Sequence, residues 1–238
     1  MTAQYRLGES ADPAALLDRA IAFTLGAVHA VTPERLSAPT PCAQWDLRAL
    51  LIHVADSLEA LGDGLGTGRM DLAPAAPARP IEPAPVSDPV TAPTPGTAGF
   101  APGTAAPPVP SPAVPRAADD PVAFLRAQAA RLLGVWAAGV GQGPVRIADS
   151  ALDPRIVLGV GAVEIAVHGW DICRACGVRR PIPPALAIEL AGVCALVVTA
   201  DTRYPAFAAP IAVPGRSCPS DRLVAFLGRD PETLSDPL

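Results

Sequence analysis

A chain of 238 residues with 18 arginines, no lysine and a net charge of −5 argues against a nucleic-acid binder that works through a basic face. Thirty prolines and 20 glycines would suit a disordered chain, but 14 of the prolines fall between residues 72 and 115. What remains has the size and composition of a single globular domain, expected to span 1–238 with 72–115 as an insertion, and with 4% aromatics its core has to be aliphatic.

The opening MTAQYRLGESADP has no basic region followed by an apolar run, so it does not read as a secretory signal. No run of eighteen or more apolar residues is free of charge, so no membrane span is expected. Five scattered cysteines do not form a disulfide framework, and a reduced, cytoplasmic setting is the expectation.

Helical periodicity dominates and strand alternation is almost absent. A first helix is predicted from about Asp12 to Val31, with Leu16, Leu17, Ala20, Ile21, Thr24, Ala27 and Val28 on one stripe. After the turn-rich SAPTPCAQW, Asp46 stands where an N-cap belongs and opens a second helix. Its core face is Leu47, Leu50, Leu51, Val54, Leu58 and Leu61, and glycines at 62, 64, 66 and 68 are expected to end it. Residues 72–115 read as a solvated Pro/Ala/Thr insertion with too few large apolar side chains to fold alone. A third helix follows Asp119-Asp120-Pro121, striped by Val122, Leu125, Ala129, Leu132, Leu133, Trp136 and Val140. A fourth starts at Asp153-Pro154 and runs to Cys176, where Gly177 stops it. Ala185–Ala200 makes a fifth and Asp221–Leu227 a short last one, so the fold class is all-α, a four-helix bundle with extra C-terminal helices.

The fourth helix, RIVLGVGAVEIAVHGWDIC, carries the chemistry. Between Ile156 and Cys173 its only ionisable residues are Glu164, His168 and Asp171, spaced i, i+4, i+7 and therefore within about 60° of arc. A solvent face is wider and richer in long charged side chains; a narrow polar stripe on an apolar helix points into the bundle. There a lone carboxylate and imidazole are costly unless paired or bound to metal. Of the three histidines, His53 on the second helix has only small neighbours, Ala49, Ser57 and Ala60, on its side, which leaves room beside the ring; His29 reads as structural. Two imidazoles and a carboxylate would leave a tetrahedral ion one open position, and the same set suits zinc, nickel or non-haem iron. Asp171 would orient a ligand histidine or pair with Arg48. Trp45 and Trp170 read as packing at helix ends. Cys173-x-x-Cys176 reads as two buried small residues, because a helix C-terminus disfavours thiolate and no second pair completes a four-cysteine site. Cys42 is placed to line a pocket, although nothing in the sequence demands it.

The runs TPCAQWDLRALLIHVADSLEAL, VEIAVHGWDICRACG and DRLVAFLGRDP together resemble the mycothiol-dependent maleylpyruvate isomerase-like branch of the DinB/YfiT-like metal-binding proteins. The resemblance covers most of the chain outside the proline block, and that block and the lack of a recognisable separate C-terminal domain depart from the pattern. It implies a four-helix bundle, with metal ligands carried over to His53, Glu164 and His168. It also implies a divalent metal, Zn2+ before Ni2+ or Fe2+, and mycothiol as co-substrate. The expected activity is metal activation of a low-molecular-weight thiol for S-transfer to, or isomerisation of, a small-molecule electrophile. The alternatives are a thiol-independent metal-dependent hydrolase or tailoring enzyme of secondary metabolism, and a non-catalytic metal-binding protein that docks a partner through its proline segment. Neither nucleic acid nor membrane is an expected partner.

Overall fold

Four aspartates set the starts of the four long helices. Asp12, Asp46, Asp120 and Asp153 each accept a hydrogen bond from a backbone N–H of the first turn, and proline follows three of them at the first helical position. That pairing satisfies an orphan donor and presets φ where helix begins. The computed structural model describes residues 12–42, 45–70, 117, 119–139, 143–203 and 207–233. The helices are α1 (Pro13–Ala27), α2 (Leu47–Thr67), α3 (Pro121–Ala137), α4 (Pro154–Ala175), α5 (Pro184–Val197), α6 (Ala200–Arg203) and α7 (Pro219–Phe226).

Helices α1 and α2 both pack along α4, α3 packs on α2, and α5 and α7 close the side beyond α4. Leu17 and Leu158 line one small apolar cavity, and Thr24 donates to Ile165 O at 2.7 Å, so α1 and α4 run in the same direction. The two come unusually close there, since a Cβ on Gly169 would stand 3.1 Å from Thr24 Cα. On the other side Leu61 of α2 packs on Gly161 while His53 reaches Glu164, which makes α2 antiparallel to α4. The core is aliphatic as expected, with Leu47, Leu50, Leu51, Leu58, Leu125, Ile165 and Leu190 fully buried, together with Trp170.

Several boundaries differ from the sequence reading. Helix α1 stops at Ala27 and tightens into a 3-10 turn over Val28–Ala30. Helix α2 runs through Gly62, Gly64 and Gly66 and ends only at Gly68, which adopts φ 71°. Packing overrides the propensity cost, because Gly62 and Gly64 are buried against Leu132 and Met70. Trp136 lies 40% exposed rather than in the core, while Gln128 takes a buried place on α3; Val140 falls outside the described residues. Helix α5 ends at Val197, and the last helix is Pro219–Phe226. A three-stranded sheet, β1 (Arg69–Met70), β2 (Val145–Ile147) and β3 (Ser150–Leu152), joins the ends of α2, α3 and α4, with β1 parallel and β3 antiparallel to β2. The proline block 72–115 lies outside the described residues.

Helix α4 meets the bare length and hydropathy criterion for a membrane span, with a mean hydropathy of 1.5. Its apolar window is 83% buried inside the protein, flanked by α1, α2 and α5, which makes it the central core helix.

Candidate metal centre

The antiparallel contact of α2 and α4 brings the two motif-bearing helices face to face. His53 Nε2 lies 2.7 Å from Glu164 Oε1, and His168 Nε2 lies 3.2 Å from the same oxygen. One atom from each of the three residues falls within 4.8 Å of the others, and the two imidazoles meet edge to face with centroids 5.1 Å apart. The His168 side chain is buried (7% exposed), whereas His53 and Glu164 keep 28% and 33%, so the cluster is closed behind His168 and open on the side of the other two.

Behind His168 stands a second layer of polar groups. Asp171, wholly buried, places Oδ2 2.9 Å from His168 Nδ1. A carboxylate on Nδ1 makes that nitrogen the N–H donor and turns Nε2, as a lone-pair donor, toward the cluster. Arg229 reaches both oxygens of Asp171 from the loop after α7, with Nη2 3.1 Å from Oδ2 and Nε 3.2 Å from Oδ1. The loop is held by Gly228 at φ 81°, where any Cβ would stand 2.7 Å from the Ala208 methyl. The Cys42 thiol completes this layer, 3.4 Å from Asp171 Oδ2, 3.5 Å from Arg229 Nη2 and 3.9 Å from His168 Nδ1. Trp45 packs against His53 with ring centroids 4.2 Å apart and planes tilted by 36°, and stands 5.9 Å from His168. The Thr40 hydroxyl fixes this turn by donating to Trp45 O and accepting from Cys42 N–H.

The electrostatics follow from these contacts. Burial works to raise the Glu164 pKa, but the His168 charge and hydrogen bonds from both imidazoles prevail and hold the carboxyl well below its usual range. Burial likewise opposes a charge on His168, yet Glu164 and the hydrogen bonds to Asp171 and Cys42 raise it well above an ordinary histidine. Burial would raise Asp171 too, and Arg229 and His168 lower it instead.

The structure brings His53, Glu164 and His168 together and places His29, exposed on the turn after α1, outside the cluster. The guanidinium paired with Asp171 is that of Arg229, not Arg48. Arg48 lies about 140° around α2 from His53 by helical geometry, with its amide donating to Leu36 O. Trp45 is a wall of the site rather than packing alone, while Trp170 is buried under Arg174 as expected. Arg229, 58 residues beyond Asp171, stands in the run DRLVAFLGRDP that carries the resemblance, but no spacing in the sequence paired it with Asp171. Cys173 and Cys176 are buried and apart from the cluster; burial pushes the Cys173 thiol up to about 11 and raises Cys176 as well. Two imidazole nitrogens and a carboxylate oxygen, converging and open on one side, with one ring held from behind by a carboxylate, fit a divalent cation.

A helical bundle that presents histidines and a glutamate from facing helices has the architecture of the bundle-type metal-binding proteins. The chain belongs to the family described as Mycothiol maleylpyruvate isomerase N-terminal domain, which it matches over residues 17–173, within the DinB/YfiT-like branch. The matched stretch contains His53, Glu164, His168 and Asp171; Arg229 lies beyond it. Two uncharacterized proteins of Mycobacterium tuberculosis, from strains CDC 1551 and H37Rv, are each 25% identical over 202 residues, covering 84% of this chain and 87% of theirs. No solved structure matches the chain.

Proposed function

We propose that the protein is a metal-dependent enzyme that activates a low-molecular-weight thiol, mycothiol, for S-transfer to an electrophilic small molecule or for its isomerisation. The observation that carries this reading is the convergence of His53 Nε2, His168 Nε2 and Glu164 Oε1 on one partly open point, in a chain of the mycothiol maleylpyruvate isomerase family. His53, Glu164 and His168 would hold the ion, zinc before nickel or iron. When bound, a divalent cation supplies the Lewis acidity that lowers the pKa of a thiol toward neutrality.

The chain's own residues do the rest. Asp171 keeps the His168 proton on Nδ1 so that Nε2 remains a ligand, and Arg229 neutralises Asp171 and keeps it ionised. Glu164, ionised in the ordinary pH range, brings one negative charge to the centre. Trp45 packs its ring against His53 and limits the orientations that imidazole can take.

The test is metal content by mass spectrometry on the purified protein and on His53→Ala and Glu164→Ala, followed by calorimetric titration with mycothiol. About one equivalent of metal in the parent, lost in both variants, and thiol binding only by the loaded parent are the expected results. A protein that stays empty after reconstitution, or a loaded one indifferent to thiol, overturns the reading.

A further inference from the structure

Arg174 stands on α4 one turn beyond Asp171, on the same helical face. Only 5% exposed, it donates from Nη2 to Pro231 O at 2.6 Å, and its guanidinium lies over the Trp170 ring at 4.6 Å. Its Nε and Nη1 are buried and find no hydrogen-bond partner among the described residues. A buried guanidinium with open donors is costly, and an unbranched apolar side chain would cover Trp170 without that cost. What arginine adds at this position is a grip on the carbonyl of Pro231.

That carbonyl belongs to the turn that carries Arg229. Upstream, the turn is tied to the end of α7, where the Arg229 N–H donates to Val224 O at 2.9 Å and the Gly228 N–H to Ala225 O at 3.0 Å. Downstream, Asp230 closes the turn on itself by accepting from the Glu232 N–H. Among the described residues the buried downstream tie is the bond from Arg174 to Pro231 O, with Pro231 itself buried; the pair of Arg179 with Glu232 is exposed on both sides. Two residues of chain reach at most about 7 Å, and one turn of a helix rises about 5.4 Å. The spacing of Arg229 and Pro231 thus matches that of Asp171 and Arg174, and the turn is seated on α4 at two points. Resting on the metal centre proposed above, we infer that Arg174 is a positioning residue of that centre. By holding Pro231 it keeps the Arg229 fork on Asp171, and Asp171 in turn fixes the His168 ring. Coupling of this kind is reciprocal. The ion binds more tightly when the turn is seated, and the turn seats more firmly when an ion holds His168.

The test reads zinc affinity of the full-length protein by competition with a chromophoric chelator, beside the melting temperature of the metal-free protein. Arg174→Met is expected to weaken zinc about tenfold, the lower end of what groups behind a ligating histidine contribute. Its metal-free melting temperature holds or rises, because two open buried donors are gone. Arg179→Met, which removes only an exposed pair, leaves both readings unchanged. In an Asp171→Asn background Arg174→Met adds little, since its effect runs through Asp171. An Arg174→Met protein that binds zinc as the parent does, or that only melts lower, shows a residue serving the fold and overturns the inference. A full additional loss in the Asp171→Asn background overturns it too. The unaltered protein gives a reading that does not depend on how any variant folds: zinc slows amide exchange at Arg229, Asp230 and Glu232. Exchange there that is indifferent to zinc again overturns the inference. If the parent takes up no zinc, the metal reading falls and this inference with it. If zinc affinity depends on Arg174 in a protein indifferent to mycothiol, the proposed thiol chemistry fails and the role of Arg174 stands.

Discussion

At the scale of single residues, the centre depends as much on Asp171 and Arg229 as on the three side chains that would touch an ion. Asp171 is wholly buried, accepts from His168 Nδ1 at 2.9 Å and carries the charge that makes an 11%-exposed Arg229 tolerable. Replacing it by Asn keeps the shape but removes the charge, so the His168 ring loses its fixed tautomer and Arg229 its counter-ion. Asp171→Asn is therefore expected to lower zinc affinity by about 10–100-fold, the usual effect of losing a carboxylate behind a ligating histidine. Competition against a chromophoric chelator measures this; an unchanged affinity would show that Asp171 serves folding alone. The residue level is also where the sequence was least legible. The i, i+4, i+7 spacing on an apolar helix exposed Glu164, His168 and Asp171 as a unit. Arg229 arrives through a turn fixed by Gly228 after a separate helix, and no spacing rule connects it to Asp171. Cys42 and Trp45 were visible as residues, but their positions depend on how the Thr40 turn folds against α4.

At the scale of elements, the starts of the helices were legible because the Asp-Pro pair is a local device. A carboxylate that bonds the first-turn N–H groups and a ring that presets φ act whatever surrounds them. The ends were less legible because they depend on what packs nearby. Helix α2 passes through Gly62 and Gly64, which it buries against Leu132 and Met70, and through the exposed Gly66, and the strands, two or three residues long, are too short to show alternation. The same distinction separates two substitutions. Asp153→Ala removes only a cap and is expected to cost about 1 kcal/mol. Gly169→Ala places a methyl 3.1 Å from Thr24 Cα, where α1 and α4 run alongside each other, and overpacking of this kind costs about 1–3 kcal/mol. It also pushes α4 away from α1 one residue from His168, so metal content should fall in Gly169→Ala and hold in Asp153→Ala. Denaturant titration with metal analysis of both proteins checks this, and equal metal loss in the two would show that α1 does not set the position of His168.

At the scale of the whole molecule, the cluster links pH, metal and stability through α2, α4 and the segment after α7. In the metal-free protein Glu164 and Asp171 have lowered pKa values, so their contribution is present above the ordinary carboxylate range near 4.5 and is lost as pH falls through their folded values. His168 is raised, so its contribution is complete below the ordinary histidine value of 6.5 and is lost as pH rises through its higher folded value. Between those limits the metal-free cluster is at its most favourable, and above about pH 6.5 it weakens. A divalent cation reverses that trend, because it takes the lone pair that the proton on His168 Nε2 would occupy, and rising pH removes the competitor. The melting temperature of chelator-treated protein should therefore fall between pH 6.5 and 9, by roughly 2–4 °C for each kcal/mol lost. Zinc-loaded protein should hold or gain, so that the gap between the two widens with pH. Differential scanning calorimetry at matched ionic strength reads both curves. A gap that narrows as pH rises would mean that the ion does not bind where His168 holds its proton, and that the three residues are joined by hydrogen bonds alone.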